Sequence, residues 1–132
     1  MICEEFDLSN LEVQNILKEY LWDLPLFSSI MDKGKRPSKR KIHLYFNDNE
    51  FIGYIIKVED NKTININNIE IRRSIRKNPN NQRWGKIIMI DFLNNYKSNI
   101  TLMALTDWHI EYYKNYGFRI INENSNKMIR CQ

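Results

Sequence analysis

Cysteine and histidine are scarce in this sequence: Cys3 and Cys131, His43 and His109, among 132 residues. The two cysteines stand near opposite ends of the chain, so no disulfide framework can be built from them, and the expectation is a reducing, cytoplasmic setting. Two lone cysteines and two lone histidines also lack the ligand spacing of a zinc site, so no metal is expected. Long apolar runs are missing too. The longest, such as Ile87 to Ile90, are four residues, far short of a membrane-spanning helix. The first residues carry Glu4, Glu5 and Asp7, where a signal peptide needs a basic start and an apolar stretch. Alanine is nearly absent, with Ala104 alone. Asparagine, isoleucine and lysine are abundant instead, a bias that fits an AT-rich coding sequence and removes most asparagines as functional signals.

What is present is enough for a core. Hydrophobic residues make up 42% and aromatic residues 12%, which excludes a disordered chain and fits one compact domain. The net charge is only +4, ordinary for solubility. It is unevenly placed: six Lys or Arg lie between Lys33 and Lys41, and four between Arg72 and Lys77. The first cluster contains no aromatic residue on which a base could stack, which argues against a nucleic-acid partner.

Hydrophobic spacing places a helix from Ser9 or Asn10 to Leu24, with Glu12 completing a capping box on Ser9. Pro25 ends it, and a short second helix follows over Leu26 to Met31. After the basic loop come three strands. Ile42, Leu44 and Phe46 mark the first. The second spans Phe51 to Val58, where Gly53 signals a bulge or a close approach. The third is marked by Ile64, Ile66, Ile69 and Ile71, with a phase break of the kind a bulge produces, and it is expected to run on to Ile75. A helix is expected from Trp84 to Tyr96, a strand at Ile100 to Ala104, and a helix from Trp108 to Tyr116, capped by Asp107 and closed by Gly117. Two short strands finish the chain. The order defines an α+β (mixed α/β) fold.

Two segments carry chemistry. Gln82-Arg83-Trp84-Gly85-Lys86-Ile87 stands between a strand and a helix. Unpaired amides at a helix N-terminus attract phosphate, and Arg83 and Lys86 add full positive charges. Tyr112-Tyr113-Lys114-Asn115-Tyr116-Gly117-Phe118 is an aromatic helix end with a glycine cap. In this order and spacing the two segments resemble the GNAT-type N-acetyltransferases. That family carries a Gln/Arg-x-x-Gly-x-Gly/Ala turn after its fourth strand and an aromatic-Tyr-x-x-x-Gly-Phe helix near its C-terminus. Pro79 matches the family's strand exit.

The resemblance implies a single GNAT-like domain over residues 1–132. Its central sheet would be mixed, mostly antiparallel, splayed between the fourth and fifth strands and flanked by helices. It implies acetyl-CoA (coenzyme A) as cofactor, held at Gln82, Arg83, Trp84, Gly85, Lys86 and Ile87. The reaction would be direct attack of a primary amine on the thioester in a ternary complex, with Tyr113 protonating the departing thiolate. Ile87 replaces a small family residue, so its branched side chain goes either toward the pyrophosphate or into the core. Thr106 and His109 stand where the family often has Asn and Ala. Arg73 and Ser74 occupy the positions where it often has a carboxylate. Glu70, slightly upstream, is then the first candidate base and His109 the second. Arg73 and Arg76 are candidates to hold an anionic acceptor. The alternative is a GNAT-fold binding protein acting through its basic surface on an acidic protein or nucleic acid.

Overall fold

The computed structural model describes residues 1–22, 31, 39–60, 62–76, 83–122 and 124–131, without the side chains of Ile16, Leu21, Arg73 and Arg76. The expected second helix (apart from Met31), most of the basic loop, Pro79 and Gln82 lie outside the described residues. The elements are β1 (Ile2–Asp7), α1 (Leu11–Leu21), β2 (Arg40–Asn47), β3 (Glu50–Glu59), β4 (Thr63–Ile71), α2 (Arg73–Arg76), α3 (Trp84–Asn94), β5 (Asn99–Met103), α4 (Asp107–Lys114), β6 (Arg119–Ile120) and β7 (Lys127–Arg130). The strands form one seven-stranded sheet in the order β1-β2-β3-β4-β5-β7-β6. Among the described strands only the central β4–β5 pair is parallel.

The two faces of the sheet bury different residues. Ile42, Leu44, Phe51, Tyr54 and Ile56 pack with Leu8, Val13 and Leu17 around α1. Tyr45, Ile55, Ile64, Ile66 and Ile100 pack with Ile88, Met89 and Phe92 of α3 and with Ile110 and Tyr113 of α4. The phase break in β4 is a bulge. Ile56 pairs with Asn68 and Lys57 with Ile66, so Asn67 is the extra residue. It changes the parity of the strand. Ile64 and Ile66 before it, and Ile69 and Ile71 after it, therefore all meet the same core.

The bulge also ends the pairing with β5. That ladder runs from Thr63–Asn99 to Ile66–Leu102, and Asn67–Ile71 continues beside β3 alone. The sheet splays there, as expected. Gly53 is required at this end. A Cβ on it would collide with the carbonyl oxygen of Glu70, so only glycine lets β3 approach β4 here.

Three expectations are corrected. Residues 2–7, for which local patterning predicts no element, form an edge strand. Glu5 and Cys3 face His43 and Tyr45 across β2, and such pairings are invisible to local patterning. The third strand does not reach Ile75: β4 ends at Ile71 and Arg73–Arg76 is a helical turn, which buries Ile75 equally well. Arg73 and Arg76 therefore do not alternate across a strand. Of the two caps the sequence offers for α1, Asn10 is the one used, its side chain accepting the Glu12 amide at 2.9 Å, in place of the capping box on Ser9. Thr106, not Asp107, caps α4, accepting from the amide of His109. Gly117 has the expected left-handed conformation, with φ 90°.

At the other end of the sheet a polar network closes the core. Lys57, buried in β3, donates to Glu59 at 2.5 Å and to the hydroxyl of Tyr96, with Glu5 at 3.3 Å. The hydroxyl of Tyr96 is 3.1 Å from Nε2 of the buried His43, whose Nδ1 is 3.4 Å from the Cys3 sulfur. Burial, and then the Lys57 charge, hold the His43 pKa at about 4 against an ordinary 6.5. The unfolded chain binds this proton as pH falls through 6.5, while the folded chain resists until about 4. The neutral ring thus stabilises the fold fully above pH 6.5, by about 3 kcal/mol, and that contribution is lost between pH 6.5 and 4. Urea midpoints at pH 7.0 and 4.5 should show a larger loss for the wild type than for His43→Gln. Parallel losses would contradict the assignment.

Candidate functional site

The site forms where β4 and β5 part. Helix α3 begins over the end of β4, and a Cβ on Gly85 would lie 3.8 Å from Ile71 Cγ1 and 3.7 Å from the Tyr112 hydroxyl. Both are ordinary contacts. The protein itself therefore has room for a side chain at this position, and Gly85 lies in the first turn of a helix, where glycine is a poor former. Its missing side chain leaves open a pocket of about 550 Å³ lined by Arg83, Gly85, Lys86, Tyr112, Asn115 and Tyr116.

Helix α3 starts without a side-chain cap and without an acid in its first turn. The first hydrogen bond back along it is Ile87 N–H to Arg83 C=O at 3.1 Å. The amides of Trp84, Gly85 and Lys86 precede that ladder and have no intrahelical acceptor. Arg83 and Lys86 are exposed beside them. Trp84 is buried, and Ile87 packs against the same core. The branched side chain of Ile87 thus takes the inward of its two possible routes, away from the pocket.

Helix α4 supplies the aromatic wall. Trp108 stacks on Tyr112 with centroids 5.2 Å apart, and the hydroxyl of Tyr116 donates to that of Tyr112 at 3.1 Å. These residues recur every fourth position, so one helix face carries all three. Tyr112 and Tyr116 had a legible signal in that spacing, though only Tyr113 stands out from the motif. Tyr113 itself is buried among Ala104, Ile110 and Phe118, and its hydroxyl has no hydrogen bond among the described residues. Burial, and then Tyr116, push its pKa above the usual phenol value. The end of α4 is held in place by Arg130, whose Nε donates to the Tyr116 carbonyl at 3.0 Å.

The two candidate bases differ in setting. Glu70 lies directly opposite Tyr54 in β3 and accepts its hydroxyl proton at 2.9 Å. Tyr54 is completely buried under α1, so Glu70 stands on the α1 side of the splayed strand. His109 is engaged locally, its Nδ1 2.7 Å from the capping hydroxyl of Thr106, which leaves Nε2 for other partners. Met103, Leu105 and Trp108 are exposed at the end of β5 and the start of α4, giving the parting strands an apolar margin. The structure does not describe Gln82 or the side chains of Arg73 and Arg76. No cluster among the described residues could hold a metal ion, and no described helix is long and apolar enough to cross a membrane.

Neither a protein-family model nor a curated protein sequence matches the chain. Solved structures do. A protein described as a GNAT-family acetyltransferase, from Bacteroides thetaiotaomicron, aligns with TM-score 0.69 at 13% identity, over 100% of this chain and 88% of its own. An acyl-CoA N-acyltransferase from Pseudomonas aeruginosa gives TM-score 0.69 at 13% identity, over 98% and 99%. The Campylobacter jejuni N-acetyltransferase PseH gives 0.62 at 16% identity, over 100% and 99%. This chain has the fold of the GNAT-type N-acetyltransferases.

Proposed function

We propose that the protein is an acetyl-coenzyme A-dependent N-acetyltransferase acting on a primary amine. The observation that carries this reading is the uncapped start of α3, where Gly85 leaves a pocket between basic side chains and tyrosines. Free amides at Trp84 to Lys86 suit a pyrophosphate, and Arg83 and Lys86 offset its charge. Gln82 stays a candidate from the sequence motif alone. Trp84 and Ile87 serve through the backbone, their side chains anchoring the helix in the core. Where β4 has parted from β5, beyond the Ile66–Leu102 pair, the gap can receive an extended arm as an added strand would enter it, against the apolar margin of Leu105 and Trp108.

The bound thioester supplies the acetyl group. Glu70 takes the proton that the amine must lose as its nitrogen bonds the acetyl carbon, directly or through a water. Its hydrogen bond from Tyr54 fixes the carboxylate and leaves the other oxygen free. Tyr113 donates its phenolic proton to the sulfur as the carbon–sulfur bond breaks. His109, one helical turn before Tyr113, is the second candidate base. Arg73 and Arg76 stay candidates for an anionic part of the acceptor. Ile87, partly buried, packs against the core, which supports room for the cofactor; the binding-only reading rests on Ile87 and on the carboxylate missing at Arg73 and Ser74.

Thermal unfolding with and without acetyl-coenzyme A tests the reading. A ligand at 100 times its Kd adds about 2.7 kcal/mol, a rise of roughly 5 °C or more in Tm for a domain of this size. No shift at millimolar ligand would reject the cofactor, and the protein would then be sought as a binding partner of acidic macromolecules.

A further inference from the structure

We infer that Arg72 anchors an anionic group of the acceptor, and that the acceptor is a small zwitterion: an amine with a carboxylate or phosphate a few ångströms from its nitrogen. This rests on the acyl-transfer reading. Arg72 follows β4 directly, past the point where β5 has left the sheet. Its amide donates to the Ile52 carbonyl at 2.8 Å, so its backbone is held in register with β3. Its Nε is buried and has no hydrogen-bond partner, and the guanidinium has no ion pair among the described residues. A guanidinium stays charged at any working pH. A buried N–H on a charged group is costly to leave unpaired, and a ligand oxygen is the partner that would relieve it.

The nearest carboxylate along the chain does not fill this role. Glu70, two residues back, takes the Tyr54 hydroxyl instead. Arg72 stands two positions beyond Glu70, at the end of β4, within about 7 Å of it along the chain. A positive group and a negative group thus stand two positions apart beside the splay. The complementary ligand carries the opposite charges at that spacing, its ammonium toward Glu70 and its anion toward Arg72. A lysine side chain of a protein offers no anion at a fixed distance from its nitrogen.

The test uses the full chain and three sets of probes: the standard L-amino acids, their methyl esters, and phosphoethanolamine paired with ethanolamine. Thiol release gives turnover, and calorimetry gives acceptor binding independently of turnover. The expected result is a preference of about 100-fold in kcat/KM for one or more anionic amines over the matched neutral ones. The amino acids and phosphoethanolamine tell carboxylate from phosphate. Arg72→Gln should raise KM for the preferred acceptor about 100-fold and bring the preference close to one, with the Kd for coenzyme A unchanged. Arg72→Lys, which keeps the charge but lacks Nε, should fall between. Equal turnover within both matched sets, amino acids with their esters and phosphoethanolamine with ethanolamine, overturns the inference, as does an Arg72→Gln loss that spares the preference. Binding of coenzyme A with no anionic amine bound or acetylated overturns it too, leaving the cofactor reading intact. If coenzyme A itself does not bind, that reading fails, and calorimetry with the anionic amines still decides Arg72.

Discussion

Gly85→Ala will raise the melting temperature of the protein while weakening its hold on acetyl-coenzyme A. The two effects come from the same methyl group. Among the described residues a Cβ at this position meets only Tyr112 and Ile71, at 3.7 and 3.8 Å, so no repacking of these opposes it. Alanine is better than glycine in a helix by up to about 1 kcal/mol, which for this size is roughly 4 °C. The same methyl borders the pocket lined by Arg83, Lys86 and the tyrosines, where, on the proposed reading, the cofactor phosphates would need the backbone to be bare. Gly85→Val extends the argument. Its branched side chain fills the cradle, and binding should be lost by at least 100-fold. Calorimetric titration of acetyl-coenzyme A against the three proteins, beside their melting curves, gives both quantities. A valine variant that binds normally would show that the phosphates lie elsewhere.

This prediction rests on a glycine whose place at a helix start was legible before any coordinates, and the reason is physical. A helix start and a glycine cap are local events, written in neighbouring residues. The Gly85 turn and the Gly117 end of α4 could therefore be read from the chain, as could the bulge in β4, which shifts the isoleucine parity between Ile66 and Ile69. What could not be read depends on register. Tyr54 holds Glu70 because β3 and β4 pair with these residues opposite each other, and the two are 16 positions apart. The acids of β1 look like a solvated tail until Glu5 is seen beside Lys57. Asn10 and Thr106 cap their helices in place of a neighbour because capping turns on backbone geometry at one residue. The turn at Arg73–Arg76 was misread for a similar reason: a single buried isoleucine fits a strand or a helical turn alike. The fold was thus legible in its order of elements and its central splay, and the site in its two local motifs. The acceptor side was not, because it is built by cross-strand pairing.

Tyr113→Phe is expected to lower kcat by about 100-fold with little change in the Kd for acetyl-coenzyme A. The ring is a core anchor, edge-on to Phe118 at 5.8 Å and buried beside Ile110 and Ala104. Phenylalanine keeps all of that packing. The hydroxyl has no partner to lose among the described residues, so the substitution leaves no orphaned group behind and the fold should melt within a few degrees of the wild type. What disappears is a proton donor. Burial holds the phenol protonated above its ordinary range, so at neutral pH the donor form is the whole population. The wild-type kcat should then show no falling limb from this group below about pH 10, whereas a donor with an ordinary pKa would begin to fail there. Positioned proton transfer contributes about 100-fold or more, and it acts only as the sulfur departs, which places the loss in kcat. Single-turnover kinetics with stopped-flow detection of thiol release separates this from slow product release. If Tyr113→Phe instead weakens cofactor binding and leaves kcat intact, Tyr113 is a packing residue alone. A water or the Tyr112–Tyr116 pair would then be the source of the proton.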